Sequence, residues 1–349
     1  MFHDLTVAEV RAETDEAVAI SFELPEALAE TFAYQPGQYL TLRAEVNGAD
    51  MRRNYSIASL PGEPLTVGVK RVEDGVFSTF AQGLKPGDVV QVMPPEGRFI
   101  CDGQERVVLI AAGSGITPMV SIAGDALARG ADVTLIYGNR RSETIMFRET
   151  LEALKDRYLG QFTLIHVLSR EPQDVALLSG RVDAEKVTRL VQAGAVDLAH
   201  ADGVFLCGPG EMIDAVEGAL TALGVDQGLI HHERFFMAGE APRMPKSAEA
   251  EAAAAEGVEV EVVLDGARRV FTYGPEDETV IAAAERAGLE LPYSCRGGMC
   301  CTCRCKVEEG SAEMAVNYSL EPWELEAGFT LACQSRPTSK KLCLDFDAA

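Results

Sequence analysis

Four cysteines toward the C-terminal end constrain this chain more than any other feature of its 349 residues. Cys295, Cys300 and Cys303 follow the spacing C-x4-C-x2-C, and Cys333 stands alone further on. That pattern suits four thiolates converging on the two irons of a [2Fe–2S] cluster. Such a loop must also turn backbone N–H groups toward the bridging sulfides. Arg296-Gly297-Gly298-Met299 supplies two glycines that let the chain curl closely. Zinc is the alternative, but it ordinarily takes two C-x2-C units or cysteine–histidine pairs. Here the fourth cysteine has no paired neighbour and no histidine lies near the loop. Cys295, Cys300, Cys303 and Cys333 are therefore the expected metal ligands. Cys305 is expected to point inward from a strand, and Cys301 to be a packing residue.

Cysteine usage and charge narrow the setting. Of nine cysteines, only Cys101 and Cys207 precede the cluster loop. A disulfide framework would spread them across a small secreted domain. The opening MFHDLTVAEVRAETDE puts acids where a signal peptide needs an apolar run. No stretch approaches the roughly 18–20 apolar residues that span a bilayer. A cytoplasmic protein is expected. Its formal net charge of −23 argues against nucleic acid and against an anionic membrane surface. The same charge keeps a protein soluble, or steers a basic partner toward an acidic face.

Three folded parts are expected in series. Residues 1–102 read as short strands over Leu5–Val10, Ala17–Glu23, Gln38–Ala44, Arg53–Ala58, Leu65–Arg71 and Val89–Met93. They are separated by turns such as Gln35-Pro36-Gly37 and Lys85-Pro86-Gly87-Asp88, the pattern of a small antiparallel β-barrel. Residues 103–236 alternate buried strands with helices, as in an α/β domain with a parallel sheet. Strands are expected over Arg106–Ala112, Val133–Tyr137, Phe162–Leu168 and Gly203–Cys207. Helices are expected over Pro118–Arg129, Phe147–Arg157, Ala184–Gln192 and Glu211–Leu223. Residues 237–257, rich in Ala and Glu, read as a linker with at most transient helix. Residues 258–349 form the cluster domain, α+β of β-grasp type, with a hairpin around Asp265-Gly266 and a short helix over Thr279–Ala287.

Two further groups of motifs precede the cysteines. On a barrel strand, Arg53-Asn54-Tyr55-Ser56 offers a cation for a phosphate, a ring to cover a flavin and a hydroxyl for its N5 edge. Lys70 ends a later strand, and Gly75-Val76-Phe77-Ser78 follows beside a helix start, where N–H groups and a hydroxyl suit a pyrophosphate. In the α/β part, Gly113-Ser114-Gly115-Ile116-Thr117-Pro118 follows the first strand. It lacks the third glycine of G-x-G-x-x-G, yet Gly113 and Gly115 permit close approach to a dinucleotide pyrophosphate. Cys207-Gly208-Pro209 ends a later strand, on the edge where open α/β sheets bind ligands. Asn139-Arg140-Arg141 places guanidinium groups where a 2′-phosphate could lie, which favours NADPH, with NADH possible. Solvated surface arginines are the rival explanation.

These motifs resemble the ferredoxin–NADP reductase superfamily: R-x-Y-S and G-x-x-S for the flavin, G-S-G-I-T-P and C-G-P for the nicotinamide nucleotide. The order of FAD barrel, nucleotide domain and C-terminal plant-type ferredoxin resembles, over nearly the whole chain, the reductase subunits of phenylacetyl-CoA ring-epoxidase systems. Segments such as YQPGQYLTL, HHERF, LPYSCRGGMC and VNYSLEPWELEAGFTLACQ carry that likeness. Cys301 departs from it, since alanine is more usual there. The resemblance implies FAD as the flavin and electron flow from NADPH through FAD and [2Fe–2S] to an oxygenase component. That partner would be a di-iron enzyme epoxidising the aromatic ring of phenylacetyl-CoA. It also implies that Ser56, Cys207 and Glu233 act at the flavin–nicotinamide junction, with Cys207 against the nicotinamide ring. The chemistry asks for positioning rather than a general base, because hydride brings two electrons and the cluster takes one. The same electron transfer could serve another di-iron or a Rieske oxygenase. A zinc-stabilised binding module is the reading from a different class.

Overall fold

A computed structural model describes residues 2–60, 62–235 and 244–348. The chain divides into two compact units, Met1–Phe235 and Phe236–Ala349.

The first unit opens with strands β1 (His3–Thr14), β2 (Ala17–Glu23), β3 (Tyr39–Val46), β4 (Ala49–Ser56) and β5 (Thr66–Lys70), then helix α1 (Val76–Gln82) and strand β6 (Val89–Val92). They form an antiparallel sheet in the order β4-β3-β6-β1-β2-β5. An Ile57–Val67 bridge and the Ala58 N–H donating to the Thr66 carbonyl at 2.8 Å draw the two edges together. Period-two alternation sends Leu5, Val7, Ile20, Phe22, Leu40, Leu42, Val67 and Val69 into the interior. The strand expected over Arg53–Ala58 begins earlier, at Ala49. Asn47 and Gly48, both at positive φ (54° and 76°), turn β3 straight back into β4. An Asn-Gly pair is the usual chemistry of such a hairpin.

The same unit continues through β7 (Arg106–Ala112), α2 (Ile116–Ala128), β8 (Asp132–Asn139), α3 (Arg148–Arg157), β9 (Phe162–Leu168), α4 (Ala184–Gln192), β10 (Gly203–Gly208), α5 (Gly210–Ala222) and β11 (Ile230–Arg234). All five strands are parallel, ordered β11-β10-β7-β8-β9. The chain steps outward from β7 to β9, then crosses to the other side for β10 and β11. The carboxyl ends of β7 and β10 therefore flank a topological switch point, where such sheets bind ligands. Helix α2 starts two residues before the expected Pro118. A proline in the first turn loses no hydrogen bond, so the helix accepts it there. Strand β11, in the His231-His232-Glu233-Arg234 segment, was not expected as a strand; its short polar run gives no alternation to read.

The second unit comprises α6 (Ala248–Glu256), β12 (Val258–Leu264), β13 (Ala267–Tyr273), α7 (Val280–Arg286), β14 (Arg304–Glu309), β15 (Ala312–Met314), α8 (Pro322–Glu326), β16 (Phe329–Leu331), β17 (Ser335–Pro337) and β18 (Lys341–Asp345). A mixed sheet in the order β13-β12-β18-β14-β16 carries α7, whose Val280, Ile281, Ala283 and Ala284 are buried. The expected linker is partly corrected. Residues 237–243 lie outside the described residues, but Ala248–Glu256 is a capped helix rather than a tether. The Ser247 hydroxyl accepts from the Ala250 N–H at 3.1 Å, and Ala250 and Ala254 are buried. Small side chains let this helix lie close to the unit, which composition alone disguises as low complexity.

Helix α8 is pinned from beneath. Glu324, wholly buried, meets the Arg304 guanidinium at 2.7 Å, and that guanidinium lies 3.6 Å from the Phe329 ring centroid. Arg304 directly follows the expected ligand Cys303. Removing one partner of a buried ion pair strands the other charge, at a cost of about 3–5 kcal/mol. Glu324→Ala is expected to lower the melting temperature of the C-terminal unit by several degrees in calorimetry, whereas exposed Glu326→Ala leaves it unchanged.

Candidate flavin, nucleotide and cluster sites

Strand β4 brings Arg53, Tyr55 and Ser56 to one end of the barrel. The Tyr55 ring centroid lies 6.1 Å from that of Phe77, and burial holds its phenol above the ordinary range. Arg53 donates from one guanidinium nitrogen to the Arg52 carbonyl at 2.7 Å. Ser56 is buried, and its hydroxyl donates to a Glu233 carboxylate oxygen at 3.2 Å. That bond joins residues from the barrel and from β11. In the β10–β11 register Glu233 lies directly beside Cys207. The three residues expected at the junction, Ser56, Cys207 and Glu233, are thus brought together.

Their chemistry differs from one another. Cys207 is 0% exposed and packs in an apolar core with Ile116 and Met119, so its side chain is covered rather than open on a cleft. Burial, with the Glu233 carboxylate adding to it, raises its thiol well above the usual value. The thiol is neutral and not a nucleophile. Gly208 ends β10 and Pro209 leads into α5, with Gly208 buried against Ala112 and Met212.

Two glycines make this junction possible. A Cβ on Gly115 would overlap the Cys207 carbonyl and sit 2.9 Å from the Gly208 nitrogen. Gly113 holds φ at +57°, and the Tyr137 hydroxyl donates to its carbonyl at 3.0 Å. Ile116 and Thr117 are buried in the first turn of α2, with the Thr117 hydroxyl donating to the Ser114 carbonyl at 3.0 Å. Gly68 on β5 is a residue the motifs did not mark: a Cβ there would lie 2.5 Å from the Thr117 methyl and 2.8 Å from the Phe147 ring. A glycine inside a strand signals such close approach.

One cationic group stands beside Gly113: the Lys70 Nζ would lie 3.9 Å from a Cβ there. The Lys70 Nζ lies 4.0 Å from a Glu16 oxygen; burial lowers its pKa, Glu16 opposes this, and Arg140 adds to the lowering. Asn139 is buried at the end of β8, and its amide nitrogen has no hydrogen-bond partner among the described residues. Arg140 and Arg141 follow it, exposed. The Arg170 N–H donates to the Arg140 carbonyl at 2.8 Å, which sets a further exposed arginine beside them. No motif marked Arg170; only the parallel pairing of β8 and β9 brings it there. Glu171 accepts from the Ser142 N–H at 2.8 Å and from its hydroxyl, which fixes the turn and holds the Glu171 carboxyl below its usual range.

At the flavin phosphate loop, Gly75 precedes α1 and Val76, Phe77 and Ser78 form its first turn. The Ser78 hydroxyl is engaged within the loop: it accepts from the Val72 N–H at 3.1 Å and donates to the Gly75 carbonyl at 3.1 Å. It shapes the loop, where the Gly75 N–H also donates to the Val72 carbonyl at 3.0 Å, a different task from the direct phosphate contact expected of it.

The cluster loop brings the thiols together two by two. Cys295 and Cys300 hydrogen-bond each other, as do Cys303 and Cys333; Cys295 and Cys333 are lowered by this and their partners raised. Among the described residues, no three His, Cys, Asp or Glu side chains surround one point as for a single ion. The backbone reaches toward sulfur in turn: the Gly297 N–H to Cys295 at 3.3 Å and the Cys333 N–H to Cys303 at 3.5 Å. Gln334 donates to Cys333 at 3.6 Å and to the Arg296 carbonyl at 2.8 Å. Arg296, Gly298 and Cys301 all take positive φ (52°, 75° and 58°), so the loop curls tightly. Two thiol pairs within a loop of inward N–H donors fit a two-iron cluster. Cys301, half-buried, donates to the Ser319 hydroxyl at 3.1 Å, and Cys305 is fully buried on β14.

Barrel, parallel sheet and cysteine loop in this order define a flavin-dependent, ferredoxin-containing electron-transfer protein. The chain matches an oxidoreductase FAD-binding domain over residues 4–100, an oxidoreductase NAD-binding domain over 109–218 and a 2Fe-2S iron-sulfur cluster binding domain over 262–338. It belongs to the ferredoxin–NADP reductase type of oxygenase reductases that carry a ferredoxin domain, and it is an NAD(P)H-dependent oxidoreductase. One of the subunits of 1,2-phenylacetyl-CoA epoxidase from Escherichia coli is 44% identical, over 99% of this chain and 98% of that one. The ferredoxin reductase component of 3-ketosteroid-9-alpha-monooxygenase from Rhodococcus rhodochrous is 35% identical, over 98% and 96%. The structure of phthalate dioxygenase reductase superposes with a TM-score of 0.60 at 22% identity, over 99% of this chain and 98% of that one, and shares its fold. No described helix is long and apolar enough to cross a membrane.

Proposed function

We propose that this chain draws electrons from NADPH and delivers them, by way of FAD and a [2Fe–2S] cluster, to an oxygenase component that epoxidises the ring of phenylacetyl-CoA. The observation that carries this is the 44% identity, sustained end to end, to a component of the epoxidase. When bound, FAD accepts a two-electron hydride and releases single electrons, which the cluster carries onward. The chain's own residues orient and insulate. Arg53 offers its charge to the flavin phosphates, Tyr55 covers the ring system, and Gly75, Val76, Phe77 and Ser78 form the loop around the pyrophosphate. The Ser56–Glu233 bond fixes a hydroxyl at the reactive edge, while the backbone of Cys207, Gly208 and Pro209 at the end of β10 supplies a dry surface for the nicotinamide. Gly113, Gly115, Ile116 and Thr117 give the dinucleotide a close backbone approach, with Lys70 and Asn139 lining it. Cys295, Cys300, Cys303 and Cys333 ligate the irons. Crowded reduced thiols suit a cytoplasmic setting.

The neighbouring arginines Arg140, Arg141 and Arg170 support NADPH over NADH, since a 2′-phosphate needs such charge. Arg140→Ala is expected to raise KM for NADPH about tenfold, the equivalent of one charge-assisted hydrogen bond, and to leave KM for NADH unchanged. Equal effects on both nucleotides would remove Arg140 from the 2′-phosphate site.

A second reading keeps the chemistry and changes the acceptor, supported by the likeness to a 3-ketosteroid monooxygenase component. Reconstitution separates them. The purified chain with a phenylacetyl-CoA epoxidase oxygenase should support coupled NADPH oxidation and epoxide formation. Equal turnover with a steroid oxygenase would overturn the specific assignment.

A further inference from the structure

The turn between β15 and α8 holds the cluster loop from outside. The Ala315 N–H donates to the Gln334 carbonyl at 3.0 Å. The Asn317 carboxamide stiffens the turn, its oxygen accepting from the Ser319 N–H at 3.1 Å and the Leu320 N–H at 2.8 Å. Turn and loop meet at Gly298, whose carbonyl accepts from the Tyr318 N–H at 3.0 Å and from the Ser319 hydroxyl at 3.2 Å. A Cβ on Gly298 would come within 3.0 Å of the Val316 carbonyl oxygen, so glycine lets the two segments touch.

The direction of each proton follows. A carbonyl only accepts, so the bond to Gly298 takes the single proton of the Ser319 hydroxyl. The Cys301 sulfur, 3.1 Å from that same hydroxyl oxygen, must then be the donor. A relay runs from the Cys301 thiol through Ser319 to the Gly298 carbonyl. This gives Cys301 a task for which alanine, the more usual residue there, has no proton. It also keeps Cys301 a protonated thiol, distinct from the four expected ligands.

The far side of the relay faces the cluster. In a planar trans peptide the C=O and N–H groups point opposite ways. The Gly298 carbonyl, held by Tyr318 and Ser319, therefore turns the Met299 N–H of the same peptide the other way, onto the Cys295 sulfur. N–H donors at ligand sulfurs stabilise the added negative charge of a reduced cluster and so raise its potential.

We propose that Ser319, with its proton directed by Cys301, is a positioning residue that holds the Met299 N–H on Cys295 and thereby sets the reduction potential of the cluster. This rests on the [2Fe–2S] reading of the cysteine loop and assigns work to two residues outside the ligand set.

The test is a redox titration of the anaerobically prepared full-length protein, followed by the electron paramagnetic resonance of the reduced cluster, with iron and sulfide content measured on each sample. Ser319→Ala should lower the reduced-to-oxidised ratio at a fixed potential by about tenfold, a midpoint about 59 mV more negative for a one-electron couple. Cys301→Ala should shift it the same way by about threefold, because the serine proton is no longer directed. Cys301→Ser keeps a donor and should stay within about twofold of the unsubstituted protein. If the unsubstituted protein holds neither iron nor sulfide, the cluster reading itself falls. If Ser319→Ala keeps its iron and its potential does not move, Ser319 only braces the loop and the proposal falls, whatever happens to the melting temperature. If Ser319→Ala loses its cluster, Cys301→Ala decides: an unchanged potential overturns the proposal. Equal shifts in Cys301→Ala and Cys301→Ser would overturn it too, since side-chain size and not the proton would then be responsible.

Discussion

Cys300→Ser is expected to abolish electron delivery to the oxygenase, by at least about a hundredfold, while NADPH oxidation by ferricyanide or another direct acceptor continues near the original rate. Cys300 pairs with Cys295 and stands close to Cys303 and Cys333. A serine hydroxyl at that place is a harder, far less acidic ligand than a thiol, so the soft iron–sulfur core loses one of its four anchors. The flavin and nucleotide residues all belong to the other compact unit. Visible absorption and iron content should show cluster loss with flavin retained. Were both activities to fall together with FAD still bound, the division of labour between the units would be disproved.

Gly115→Ala should be nearly as damaging, and at the opposite end of the path. Its added methyl would collide with the Cys207 carbonyl, a backbone atom fixed between β7 and β11 in the parallel sheet. No side-chain rotation can relieve that overlap. The loops after β7 and β10 must separate, and hydride transfer is sensitive to displacements of about 1 Å, worth on the order of a hundredfold in rate. NADPH oxidation with any acceptor should therefore drop by about that factor, with the cluster spectrum unaltered. A small rise in KM alone, with kcat intact, would mean that the two loops do not jointly hold the nicotinamide.

Much of this was legible in the residues, and the reasons are specific. The cysteine spacing is rigid chemistry, so the paired thiols could be named in advance. The continuous apolar runs of β7 and β10 announce buried parallel strands. What escaped notice lacked a local signature. Gly68 looks like any strand glycine until Thr117 and Phe147 crowd it. Arg170 joins Arg140 only through the β8–β9 pairing, and β11 is a strand because β10 offers it a free edge. Ser78 fits a phosphate-binding pattern, yet its hydroxyl is spent on Val72 and Gly75. Patterns name residue types well; they cannot say which partner a hydroxyl has already taken.

The hydrogen bond from Ser56 to Glu233 spans 177 positions in sequence. Its two halves come from layers that would each look like a separable module on a linear map. Neither layer can assemble this pair by itself. A polypeptide ending at the barrel would have a serine with no carboxylate to receive its proton, and one beginning at β7 a carboxylate with no serine. Completion of this pair, and of the flavin edge we propose it marks, must therefore wait until the last strand of the parallel sheet has been synthesised and laid down. Long-range closure of this kind is slow compared with local folding. Flavin capture during biosynthesis should accordingly be a late event, measurable as fluorescence quenching that lags behind the appearance of secondary structure.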